Sequence, residues 1–166
     1  MNFRIEQRIP APLKAVEGAL LDRDFIAATA TLPKLGEPEL LEQQRDGERV
    51  RQRVRYRFTA QLSSAVTRVI DPAKLTWIDD ARFDLTSHTA RHRILPDNYA
   101  DRLQASYDVT LEPLGDSTRR VATGELKVRV PLVGGRVERA IVSGLEEHAA
   151  AEADLLGWWV VEHHDG

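Results

Sequence analysis

The chain has 166 residues, 42% hydrophobic and 30% charged, with a formal net charge of −3 and no cysteine. That length suits one domain with a sizeable core, and the composition excludes disulfides, thiol nucleophiles and thiolate metal sites and offers no bulk positive charge for nucleic acid or anionic membrane. No apolar run approaches the roughly 20 residues that span a bilayer, and MNFRIEQRIPAP reads as a strand and not as a leader, so the expectation is a cytoplasmic protein without stable membrane insertion.

Asn2 to Ile9 alternates, with Phe3, Ile5, Gln7 and Ile9 on one side and Arg4, Glu6 and Arg8 on the other. This is a half-buried strand, ended by Pro10 and Pro12. Pro12 suits the first turn of a helix, where its missing N–H costs nothing, and Leu13, Val16, Leu20 and Leu21 recur at helical spacing. Asp22 or Asp24 is placed to cap a second short helix carrying Phe25, Ile26, Thr29 and Leu32, which Pro33 stops. Strands over 37–45 and 48–58 meet at Asp46-Gly47, a hairpin signal for a type I′ turn. In the second of them Val50, Gln52, Val54, Tyr56 and Phe58 share a face opposite Arg49, Arg51, Arg53, Arg55 and Arg57. Such an arginine comb is either a grip for an anion or a solvated outer face balanced by acids on neighbouring strands, and we read it as the latter.

Leu62, Ala65, Val66, Val69 and Ile70 then recur at helical spacing before Asp71-Pro72, a short helix placed as a lid over the mouth of any pocket. Strands are predicted over 75–85, 87–95, 102–114 and 117–130. From Val133 the period becomes helical: Val137, Ile141, Leu145, His148, Glu152, Leu155 and Trp159 form one face of a helix of nearly 30 residues. Gly134 and Gly135 lack the spacing and Lys of a phosphate loop and free the chain to turn from strand to helix.

The order predicts an α+β fold: a curved antiparallel sheet of six to seven strands wrapped around a long C-terminal helix, with two short helices after the first strand. A sheet of this many long strands must twist and coil. One helix, about 10 Å across, cannot fill its concave face. A pocket is therefore expected between helix and sheet, lined by Val54, Tyr56, Trp77, Phe83, Tyr107, Val109, Leu126, Ile141 and Leu145.

The run GELKVRVPLVGGRVERAI, leading into a helix that carries EEHAAAEADLLGWW, resembles the START-like (SRPBCC, or polyketide cyclase) superfamily over nearly the full length. Within it the chain is similar to an actinobacterial family of uncharacterised domains. The resemblance implies one helix-grip domain over 1–166 that binds lipids, polyketides or other apolar molecules. It implies no particular reaction, because the fold hosts carriers, cyclases and chaperone activators alike.

Polar residues on inward faces are the candidates for chemistry. His148 and Glu152 sit one helical turn apart on the apolar stripe, a spacing that brings side chains together. They suit a general base or a polar anchor for a ligand hydroxyl; the alternative is that Glu152 pairs with an arginine of the sheet. Asp79 shares a face with Trp77, Ala81 and Phe83 and points inward unless a bulge intervenes. His88 and His92 lie roughly 13 Å apart along a strand, too far to share one metal ion, so they read as surface or hydrogen-bonded histidines. Trp158 and Trp159 read as core and rim packing.

No metal or cofactor is expected. The partner expected is a small apolar molecule, bound by a monomer or homodimer. Three functions follow: a binding protein or carrier, a cyclase- or aromatase-type enzyme moving protons through His148, Glu152 or Asp79, and a surface interaction module with a filled core.

Overall fold

The computed structural model describes residues 1–163; the domain expected over 1–166 also takes in residues 164–166, which lie outside the described part. Strands β1 (Asn2–Ile9), β2 (Leu35–Asp46), β3 (Arg49–Phe58), β4 (Thr76–Asp84), β5 (Thr89–Pro96), β6 (Leu103–Leu114) and β7 (Ser117–Val128) form one antiparallel sheet in the order β1-β7-β6-β5-β4-β3-β2. Helices α1 (Leu13–Leu20) and α2 (Arg23–Ala28) follow β1, α3 (Ser64–Thr67) follows β3, and α4 (Gly134–Glu162) ends the described chain. The sheet is curved around α4, as the alternating and helical periods predict. β1 lies at the sheet edge and pairs with β7, in register from Asn2↔Glu125 to Ile9↔Thr118.

Local chemistry explains where the ends fall. Asp22 caps α2, its carboxylate accepting from the Asp24 N–H at 2.8 Å. β4 stops at Asp84 because Asp84 Oδ1 accepts from the Thr86 and Ser87 N–H groups (3.0 and 3.4 Å), turning the chain. The β2–β3 loop differs from expectation: its two central residues are Gly47 and Glu48, and only Gly47 has positive φ (61°). The turn is therefore not type I′. Gly115 (φ 60°) holds the corresponding first position between β6 and β7, and glycine suits that position because it enters positive φ without strain.

α4 has 29 residues and spans about 44 Å. It packs chiefly against β1, β7 and β2, with α1 beside it. β1 and β2 are the two edges of the sheet, so the sheet meets the helix at its rims. Two apolar cores form at these meetings. Ile9, Val16, Phe25, Leu156 and Trp159 pack at the C-terminal end of α4, and Leu35, Phe58, Ile70, Leu126 and Val137 at its N-terminal end. Gly157 lets α4 approach the first of these closely, since an added Cβ would run into the Pro10 ring. The buried leucine near the helix end is Leu156, with Leu155 half-buried, because α1 covers the last turns from one side. Trp159 is buried and meets Phe25 edge-on at 5.5 Å, whereas Trp158 is exposed.

The segment predicted as a lid is shorter than its periodicity suggests. α3 is one turn, with Ser63 accepting from the Val66 N–H, and Val66 and Ile70 are drawn into the second core. The arginine comb lies on the outer face and is balanced there: Arg51 pairs with Asp80, Arg53 with Glu42, Arg55 with Asp97 and Arg57 with Glu37. Pairs exposed to water contribute little each, typically under about 1 kcal/mol, but the Asp80 carboxylate of the first pair is buried. No helix among the described residues is long and apolar enough to cross a membrane.

Candidate functional site

Between the two cores, α4 and the middle strands stand apart around a cavity of about 240 Å³. One water needs roughly 10–15 Å³ on the same measure, so the space is of ligand size. β3 supplies Val54 and Tyr56 to its wall; β4 supplies Trp77, Asp79 and Phe83; β6 supplies Tyr107 and Val109; β7 supplies Leu126. Ile141, Leu145, His148 and Glu152 come from α4. The nine residues named for the pocket wall, with Asp79, His148 and Glu152, thus line one space. α1 and α2 close part of it with Glu17, Leu20, Phe25 and Ile26, whereas α3 and its flanks, from 59 to 74, contribute nothing to the wall.

Asp79 does point inward. Its Oδ1 accepts from His92 Nδ1 at 2.8 Å and its Oδ2 from the Tyr107 hydroxyl at 2.7 Å. Register brings the three together. His92 sits opposite Tyr107 across β5–β6 and opposite Ala81 across β4–β5, and Asp79 is two residues from Ala81 on the same face. Such diagonal neighbours lie within reach of long side chains. The His92 ring stacks on Tyr107 (centroids 4.4 Å, planes 9° apart), with the Phe83 ring edge-on at 5.9 Å. Small residues flank this stack, Ala81 beside His92 and Gly124 beside Tyr107. A Cβ on Gly124 would collide with the Tyr107 Cβ and the Ser106 carbonyl.

A carboxylate oxygen only accepts, so Nδ1 of His92 carries a proton, and in the neutral imidazole Nε2 keeps a lone pair. Among the described residues Nε2 makes no hydrogen bond, and the one buried polar side-chain atom without a partner is Arg53 Nε. Nε2 is therefore open to the cavity that His92 lines. Tyr56 likewise directs a hydroxyl that no described residue binds into this space. Burial, followed by the charges of Asp79 and Glu152, pushes the Tyr56 hydroxyl far above the ordinary tyrosine range. Burial also pushes Tyr107 up, reinforced by the Asp79 charge and the hydrogen bond to it. Both stay protonated.

Glu152 and His148 do not join as a dyad. Glu152 accepts from Arg120 Nη1, an arginine of β7. Arg120 also donates from Nε to Gln7 Oε1 at 3.2 Å and from Nη2 to the Ala149 carbonyl at 3.2 Å. His148 gives its Nδ1 proton to the Pro33 carbonyl at 3.1 Å. Burial holds the His148 imidazole below its ordinary value; Arg120 acts the same way, against Glu152 and the Pro33 carbonyl. Of the two alternatives the sequence left open, the pairing of Glu152 with a sheet arginine is the one that forms.

His88 and His92 go to separate carboxylates, His88 Nδ1 meeting Glu17 Oε1 at 2.8 Å. Among the described residues no group of three or more His, Cys, Asp or Glu is placed to hold a metal ion. Among the cavity residues that spacing did not assign to the site are His92, weighed only against His88 along one strand, and Arg120. The signal for Arg120 was parity, since it lies two residues before Ala122 on the inward face of β7.

Solved structures share this architecture. TTHA0849 from Thermus thermophilus is similar with a TM-score of 0.70 and 19% identity, covering 99% of this chain and 100% of that one. The Zhui aromatase/cyclase from a Streptomyces species gives 0.71 and 15%, over 100% and 98%. Norcoclaurine synthase from Thalictrum flavum, in complex with dopamine and hydroxybenzaldehyde, gives 0.65 and 14%, over 100% and 89%. At these identities the likeness is one of fold, the helix grip. No curated protein matches the sequence. Over residues 4–160 the sequence matches the family described as protein of unknown function (DUF2505), and the chain belongs to that family.

Proposed function

We propose that the protein binds, and in the cell carries, a small and largely apolar organic molecule in the space between α4 and the sheet. The observation that supports this reading is the cavity of about 240 Å³, walled mainly by apolar and aromatic side chains with a few convergent polar groups. A filled core was the condition for a surface interaction module, so that reading loses its motive. Native mass spectrometry of the protein purified from its own host, followed by extraction, tests the proposal. A co-purifying apolar compound, or saturable uptake of apolar probes, is the expected result. A bare chain that takes up no probe would overturn it.

One observation favours a second reading, an enzyme of the cyclase or aromatase kind. His92, oriented by Asp79, presents a free ring nitrogen to the cavity, the arrangement a general base requires. Of the candidates from spacing alone, Glu152 is held by Arg120 and Asp79 by the His92–Tyr107 pair, while His148 spends its Nδ1 proton on the Pro33 carbonyl and, among the described residues, has no carboxylate hydrogen-bonded to orient it. Exchange of an enolisable proton of a bound ketone with solvent deuterium, catalysed by the wild type and lost with His92→Phe, separates enzyme from carrier.

A further inference from the structure

The unspent hydrogen-bonding capacity of the Asp79–His92–Tyr107 group in the cavity wall is one-sided. Asp79 uses one oxygen for His92 and the other for Tyr107. Tyr107 has given its only proton away. With the imidazole neutral, the pair then only accepts toward the cavity, through His92 Nε2 and the lone pairs of the Tyr107 oxygen. Arg120 is the sole lysine or arginine on the described wall, and Glu152 holds it. Glu152 and Arg120 offset one another, which leaves the Asp79 carboxylate as the negative group acting on both the Tyr56 and Tyr107 hydroxyls. Tyr56 offers the one uncommitted hydroxyl proton nearby.

We propose that Asp79, His92 and Tyr107 form the polar end of a ligand site that takes an apolar molecule by a hydroxyl head. The head donates to His92 Nε2 and can accept from Tyr56, and the same wall turns away the matching carboxylate. This rests on the reading of the cavity as a ligand site. A carboxylate has no proton to give to Nε2 and meets like charge from Asp79. A methyl ether fills the same space but leaves Nε2 without a partner. A hydroxyl satisfies both neighbours at once.

Calorimetry on the full chain at neutral pH with β-naphthol, its methyl ether and β-naphthoate tests this, because the ring is constant and only the head changes. β-Naphthol is expected to bind about tenfold or more tightly than the ether, the worth of one buried hydrogen bond, with naphthoate weakest. His92→Phe keeps a flat ring on Tyr107 and removes both nitrogens. The ether should still bind this variant, and the advantage of naphthol should shrink to roughly twofold or less. If the variant does not fold, nitrogen NMR of the wild type decides: the His92 Nε2 resonance moves with naphthol and not with the ether. Equal affinity for naphthol and ether, or a preference for naphthoate, overturns the hydroxyl site and leaves the cavity reading standing. Binding of none of the three overturns both.

Discussion

Arg120 of β7 and Glu152 of α4 pair across the gap between sheet and helix, with side chains only 9% and 16% exposed. Removing one member of such a pair strands the other charge away from water. Glu152→Ala should therefore cost about 3–5 kcal/mol in urea unfolding. Glu152→Gln should cost less, because its amide oxygen still accepts from Arg120. Uptake of apolar probes should survive both changes. A loss of stability below about 1 kcal/mol for Glu152→Ala would show that water screens the pair.

His148 gives stability a pH dependence on the acid side. Its folded-state value is depressed below 6.5, chiefly by burial. The unfolded chain therefore takes up this proton first as pH falls. The contribution is present above pH 6.5 and is lost as pH drops from there toward the folded value, at up to about 1.4 kcal/mol per pH unit. His148→Gln removes the titration. The difference between wild-type and variant unfolding curves should grow on descending below pH 6.5 and be flat above it. A constant difference across that range would refute the assignment.

On the alkaline side, Tyr56 and Tyr107 act with the opposite sense. Their folded-state values lie above the ordinary 10.0, so the unfolded chain ionises first as pH rises. Stability is complete below pH 10.0 and falls above it, by about 1.4 kcal/mol per pH unit for each tyrosine. Tyr56→Phe should halve that slope. Phenolate absorbance from these two should appear together with unfolding and not before it.

Alanine at two glycines should have opposite effects. At Gly124 a Cβ meets Tyr107 across the strand pair, and Gly124→Ala should cost about 1–3 kcal/mol, each kcal/mol lowering Tm by roughly 2–4 °C. The displaced Tyr107 should also weaken β-naphthol binding. At Gly18 of α1 an added Cβ meets nothing within 4 Å, and Gly18→Ala should stabilise by about 0.5–1 kcal/mol. A neutral result at Gly124 would mean that β6 and β7 can part without penalty.

Much of this architecture was legible in the chain itself. Alternation placed Val54, Tyr56, Trp77, Asp79 and Tyr107 on inward faces because the side-chain period of a strand depends on nothing beyond the strand. The Asp79–His92–Tyr107 contact was not legible, because it depends on how β4, β5 and β6 are registered. Local spacing says nothing of that. His148 and Glu152 show the converse: the helix does bring them to one face, yet tertiary partners take up His148 Nδ1 (the Pro33 carbonyl) and Glu152 Oε1 (Arg120). The hairpin at Gly47 fell one residue from its expected place, which changed the turn type but not the strand pairing.

The pairing of β1 with β7 also sets an order of events during synthesis. β1 is the first of the seven strands to be made, and its sole neighbour in the sheet is a strand that emerges more than a hundred residues later. Until then β1 has no ladder to join, and α1, α2 and the first core have no C-terminal helix to pack against. Closing so long a loop is a slow step, because its entropic cost precedes any contact that offsets it. The space between helix and sheet thus forms only after all seven strands have been made. A ligand added to a nascent or truncated chain that ends before β7 should find nothing to occupy.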